Sequence, residues 1–186
     1  MKSLDRRYLK TEKVIVESMV SLLNQKHFQD IQIDDICSKA NINKSTFYLH
    51  YQSLYRLLLS IEDSFLSSLE RMVYISNPAS FEEALPQFLK FFEENKKLCS
   101  ALFKAGDYSL NEKVLNAFLP LFKVSNTSKK KAILSNEFLK ALGVMDGILA
   151  ILRAYVLNGY KLSNDFLSSL ITQFMRDSLA SEKSDK

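Results

Sequence analysis

The sequence is short of turn-forming residues, with 4 Gly and 3 Pro in 186 positions where average usage would supply roughly 20 together. A β-sandwich or barrel needs Gly, Pro, Asn or Asp at every strand reversal. The shortage therefore argues against those folds and predicts long helices joined by short connections. Cysteine is limited to Cys37 and Cys99 and histidine to His27 and His50. No multi-bridge disulfide framework can be built from these, nor a metal cage, and no cofactor is expected. Long apolar runs are also missing. The longest stretch without Asp, Glu, Lys or Arg is eleven residues, Ser45 to Tyr55, well short of the ~18 that a membrane span requires. Glu12 and Glu17 stand where a secretory leader would be apolar, so a soluble, cytoplasmic chain with no membrane partner is expected. Nor does one sign of charge dominate, because a net +4 over the whole chain permits a polyanionic partner without demanding one.

What is present is a core-forming complement of 13 Phe and 8 Tyr beside many Leu, Ile and Val, enough to offset the entropy of ordering. Apolar residues recur with helical period. Ile15, Met19, Leu22 and Leu23 form one stripe of a helix predicted over Thr11 to Gln25. A shorter stripe follows at Ile33, Ile36, Cys37 and Ala40, with Asp34 and Asp35 in the first turn, where negative charge suits the helix dipole. Cys37, on that buried stripe, reads as an inert thiol. Asn41 can end this helix in a left-handed turn, and Asn43 can cap the next one by accepting from the amide of Ser45 or Thr46. That next helix, Lys44 to Tyr51, has Phe47 and Tyr51 as its inward pair.

Further helices are predicted over Leu54 to Val73, from a Ser80-x-x-Glu83 capping box to Glu94 with a bend at Pro86, and over Lys96 to Phe103. Others cover Asn111 to Phe122, strained by Pro120, then Ser135 to Asn158, closed by Gly159, and Asn164 to Leu179. The polar stretch Ser125 to Lys131 reads as a loop, and its Lys129-Lys130-Lys131 run as a solvated turn. The fold class is all-α.

Two short helices around a three-residue turn, the second with a polar outer face, have the geometry of a helix-turn-helix DNA reader. Ser45 and Thr46 are small enough to let the helix sink into a major groove about 12 Å wide. Lys44, Tyr48 and His50 can reach phosphates, which fix register without reading sequence. The same pattern also fits two ordinary short helices with a solvated surface.

The segment from His27 to Tyr51 resembles the DNA-binding domain of TetR-type (TetR/AcrR) transcriptional regulators. Phe28, the Ile33-Asp34-Asp35-Ile36 step and Phe47-Tyr48-Leu49-His50-Tyr51 carry the resemblance, which extends over Lys10 to Leu59. His27, the Ile31-Gln32 pair and Leu54 depart from the family pattern, which often has glycine, small hydroxyl residues and lysine there. A phosphate-contacting hydroxyl and lysine are therefore not expected at these edges. The resemblance implies an N-terminal three-helix domain over 1–55 and a helical ligand-binding and dimerisation domain over 56–186. It also implies DNA contacts at Asn43, Lys44, Ser45, Thr46, Tyr48 and His50, with Ser45 and Thr46 nearest the base edges.

The second part, through Phe88 to Asn95, Leu98, Leu102, Phe103 and the helix closing on Leu157-Asn158-Gly159, loosely resembles the branch that regulates dihydroxyacetone-kinase operons. Phe65, Phe88, Phe92, Phe103, Tyr108, Phe118, Phe122 and Tyr155 are candidates to line a pocket for a small-molecule effector, against the plainer reading that they are core. The resemblance implies a homodimer interface through the last two helices, at Gly143, Gly147, Phe166, Leu170 and Phe174. The plainer reading of the two glycines is close packing within one chain. No nucleophile-base spacing, phosphate-cradling loop or carboxylate pair points to an enzyme. The expected function is a homodimeric repressor on a near-palindromic double-stranded DNA operator, modulated by a small molecule or protein. The alternative is a partner-binding co-regulator with repurposed DNA binding.

Residues 1–60 hold 9 Lys/Arg against 6 Asp/Glu, and residues 61–186 hold 16 against 15. Most of the positive excess thus sits with the proposed reader.

Overall fold

A computed structural model describes residues 2–76, 78, 80–106, 108–118, 121 and 136–179. Among them are nine α-helices and no strand: α1 (Lys2–Leu23), α2 (Ile33–Ala40), α3 (Lys44–His50), α4 (Leu54–Ser76), α5 (Phe81–Glu94), α6 (Lys96–Ala105), α7 (Tyr108–Phe118), α8 (Asn136–Leu157) and α9 (Asn164–Leu179). One 3₁₀ turn, Phe28–Asp30, precedes α2. The all-α expectation is met. Lys129-Lys130-Lys131 and the loop around it, Pro120 and Phe122 lie outside the described residues.

The chain divides into two compact units, one of Met1–Ser67 with Asn95–Asp107 and one of Ser68–Glu94 with Tyr108–Lys186. In the first unit the expected α1 stripe is buried at Ile15, Met19, Leu22 and Leu23, and α2, with Ile36, Cys37 and Ala40 buried, packs on α1. Both cysteines are free and buried, and burial pushes the Cys37 thiol up. Helix α1 starts nine residues before Thr11, its expected beginning. Residues 6–10 are all exposed, so no apolar period announces this extension. It persists because it contains no Gly or Pro and its side chains favour helix. Helix α6 also packs on α1. Asn24, just beyond α1, donates through Nδ2 to the Lys97 carbonyl at 2.9 Å, and Lys104 Nζ donates to the Asn24 carbonyl at 3.0 Å.

In the second unit α9 packs on α5 and α8, and α7 on α8. Phe81, Phe88 and Phe118 meet edge to face with centroids 4.9 to 5.8 Å apart, and Phe92 lies 4.8 Å from Phe88. Ser80 accepts from the Glu83 amide at 3.3 Å, as the capping box predicts, and α5 then runs through Pro86 to Glu94. Pro86, the sixth residue of α5, removes the amide hydrogen bond that would otherwise reach the Glu82 carbonyl, and the helix continues past it. Helix α8 ends at Leu157, followed by Gly159 and Tyr160, both with positive φ. The Tyr160 hydroxyl reaches the Phe92 carbonyl at 3.4 Å, and its ring packs on Tyr155.

Candidate nucleic-acid interface

Helix α2 is fastened at its start by Asp35, which accepts from the Gln32 amide at 2.7 Å and from Lys26 Nζ at 2.6 Å. Its end is the left-handed turn read from the sequence. Asn41 has φ 53° and ψ 51°, and the next amide, of Ile42, bonds the Cys37 carbonyl at 3.0 Å. Asn43 then caps α3, its Oδ1 accepting the Thr46 amide at 2.8 Å. Phe47 is fully buried, and Tyr51 is buried with its hydroxyl donating to Glu12 of α1 at 3.2 Å. Burial first, and then the Glu12 carboxylate, hold the Tyr51 phenol up at about 12. These contacts fix α3 on α1 and α2 and leave its other faces turned outward.

The six expected contact residues come together on that outer surface. Asn43, Lys44, Ser45 and Tyr48 are exposed, and Thr46 and His50 are half-buried. Lys44 Nζ lies 2.8 Å from the Asp34 carboxylate of α2, which holds its ammonium above the usual lysine value. Ser45 Oγ and Thr46 Oγ1 each bond Asn43 Oδ1 at 2.7 Å. The His50 ring stacks on Tyr8 of α1 with centroids 4.0 Å apart, and its Nδ1 is buried without a partner. Sequence reasoning passed over Tyr8, which packs on α3 from 42 positions away.

The Lys26 ammonium, with the Gln32 amide, holds the Asp35 carboxyl below the ordinary aspartate value. Its stabilising contribution is thus complete above about pH 3.9 and is lost as the pH falls through its lower, folded value. Asp35→Asn should flatten the fall of the urea midpoint between about pH 5 and pH 2. An unchanged slope would show that Asp35 carries no such linkage.

The fold can be compared with solved structures once these helices are placed. A TetR transcriptional regulator from Streptococcus agalactiae 2603V superposes with a TM-score of 0.70 at 21% identity, over 94% of this chain and 98% of that one. The fold is the TetR type. A TetR-like regulator from Rhodococcus sp. RHA1 gives 0.67 at 21% identity, over 92% and 97% of the two chains. A dihydroxyacetone kinase operon activator, DhaS, gives 0.56 at 20% identity, over 90% and 94%. An uncharacterized HTH-type transcriptional regulator of Bacillus subtilis (strain 168), YxbF, is 32% identical over 82 residues, 43% of this chain. The chain spans about a fifth of that relative's length. No family model matches the chain.

In this TetR-type fold the candidate pocket aromatics fall in both units. Phe65 and Phe103 are buried in the first. Phe88, Phe92 and Phe118 form the ring cluster of the second, where Tyr155 is buried with its hydroxyl 3.4 Å from Asn164 Oδ1. Tyr108 opens α7. Of the candidate interface residues, Phe166 and Leu170 are 56% and 42% exposed on α9. The Phe174 ring fills the space over Gly147, where an added Cβ would lie 2.4 Å from it, whereas Gly143 has open space. Gly147 thus permits close packing of α8 on α9 within one chain. No helix among the described residues is long and apolar enough to cross a membrane, and no cluster of three or more His, Cys, Asp or Glu among them could hold a metal.

Proposed function

We propose that this chain is a sequence-specific DNA-binding transcriptional regulator, acting as a homodimeric repressor in the cytoplasm. The α2-turn-α3 unit carries this reading, because it presents a short helix whose inner face is spent on Phe47 and Tyr51 and whose outer face is polar. Lys44, Asn43, Tyr48 and His50 position the helix on phosphates, and Ser45 and Thr46 meet base edges. Two such readers, one from each protomer, would enter successive major grooves about 34–36 Å apart on a near-palindromic duplex.

An exposed stripe on α8 and α9 supports the dimer. Leu139, Gly143, Ala150, Ala154 and Leu157 recur with helical period on α8, on a face that also carries Asp146 and Arg153, and Phe166 and Leu170 are exposed on α9. Small residues in such a stripe let a partner helix approach closely. A small molecule or protein acting through the second unit would regulate binding by its differential affinity for the DNA-competent state. This reading gives the chain no catalytic role.

Binding-site selection from random duplex DNA, with light scattering on the same protein, tests the proposal. The expected result is a dimer that enriches a palindrome. Phe166→Glu with Leu170→Glu should give a monomer that loses the palindrome while keeping its helicity. A wild-type monomer at micromolar concentration would overturn the two-reader geometry. Failure to enrich any duplex would turn the assignment toward the partner-binding reading.

A further inference from the structure

The outward face of α3 holds more information than its polar residues. At about 100° per residue, Ser45 and Leu49 each lie about 160° from Phe47, on either side of the line pointing directly away from the core. Phe47 is fully buried, whereas Leu49 is 77% exposed, the highest value among the exposed large hydrophobic residues. An aliphatic side chain thus occupies the centre of the surface that enters the groove.

The hydroxyls beside it have a defined polarity. The Thr46 backbone N–H can only donate, so the Asn43 atom it meets at 2.8 Å is the carbonyl oxygen. Ser45 Oγ and Thr46 Oγ1, each 2.7 Å from that same oxygen, must therefore donate to it. Their protons face the cap, and lone pairs are what they offer outward. Turning either proton to a guanine acceptor would sacrifice a short bond at the helix start. The nearby cation, Lys44, lies toward Asp34 at 2.8 Å and is assigned above to phosphate rather than to a base edge.

This surface of acceptors and methyl groups can be matched to the base edges of the major groove. Guanine shows two acceptors there, N7 and O6, and finds no donor among Ser45, Thr46 and Leu49; its partner cytosine offers an N4 amino donor but no methyl group, so the methyl is what separates the two pairs. Adenine offers an N6 amino donor and its partner thymine a C5-methyl group, so A·T pairs satisfy both halves of the surface together. Resting on the DNA-binding reading above, we propose that Leu49 is a specificity-determining residue. It packs against a thymine C5-methyl, while the Ser45 and Thr46 hydroxyl oxygens accept from adenine amino groups. The half-site centre is then A·T rather than guanine-rich.

Replacing single thymines of the selected duplex by deoxyuridine removes only the methyl group and tests this directly. The wild type should lose about fourfold in affinity at one thymine per half-site, as expected for one apolar carbon. Leu49→Ala should bind the thymine and deoxyuridine duplexes equally, and Leu49→Met should restore the discrimination. Leu49 is exposed, so all three proteins should share one thermal midpoint. Full methyl sensitivity in Leu49→Ala would overturn the proposal, as would a selected site with no methyl-sensitive thymine. A wild-type chain that selects no duplex would overturn the DNA-binding reading itself, a result distinguishable from either of these.

Discussion

Asn43→Asp is expected to leave the first unit as stable as the wild type and to weaken operator binding by at least about thirtyfold. The two effects separate because Asn43 has two chemically distinct ends. Its Oδ1 caps α3, accepting from the Thr46 amide and from two hydroxyls. Aspartate provides an equivalent oxygen, and the two residues rank together as N-caps. The exposed Nδ2 would be replaced by an anionic oxygen facing the phosphates. Like-charge juxtaposition at an interface costs several kcal/mol, and each 1.4 kcal/mol is about tenfold in affinity. Asn43→Ala is the complementary change. It removes the cap, at about 1 kcal/mol, without introducing repulsion. Thermal unfolding and a binding titration on both variants separate the two roles. Equal DNA binding by Asn43→Asp and wild type would remove Asn43 from the contact surface.

Phe88→Ala should destabilise the second unit by about 3–5 kcal/mol. Phe88 is fully buried and touches Phe81, Phe92 and Phe118, each within 5.8 Å between centroids. Its removal deletes the hub of the cluster and leaves a cavity that three rigid rings cannot collapse to fill. Native domains are stable by only about 5–15 kcal/mol, so a large fraction of the unit's stability is at stake. Denaturant titration of the wild type and Phe88→Ala measures it. A loss under about 1 kcal/mol would show that the ring cluster is loosely packed.

Much of this architecture is legible in the sequence because its signals are local. The apolar stripe of α1, the left-handed Asn41 and the capping Asn43 each depend on neighbours within a few residues, and all three are found in the structure. The first turns of α1 were not legible, since residues 6–10 are solvated all round and carry no periodic signature. The packing of α6 on α1 was also hidden. A stripe shows which face of a helix is apolar but not which partner covers it, and the bonds from Asn24 to Lys97 and Lys104 span more than seventy positions. The proposed contact face was read through its polar residues, in a pattern that gave Leu49 no part. The signal for Leu49 was present in the spacing, four residues after Ser45 and opposite Phe47, but its meaning depends on knowing that Phe47 is buried. The Lys44 to Asp34 pair joins two helices across the turn and needed the folded geometry to be seen.

The return of α6 to α1 makes the first unit discontinuous, with residues 68–94 of the other unit inserted into it. During synthesis from the N-terminus, the segments that build α1 to α3 emerge well before Lys97 and Lys104 are available to close against Asn24. A nascent chain ending near residue 67 therefore holds a complete turn and α3 on an incomplete foundation, with the α6 seat of α1 still open to water. The α2-turn-α3 unit acquires its full support only when α6 has left the ribosome, so its final folding step waits on chain elongation rather than on local sequence.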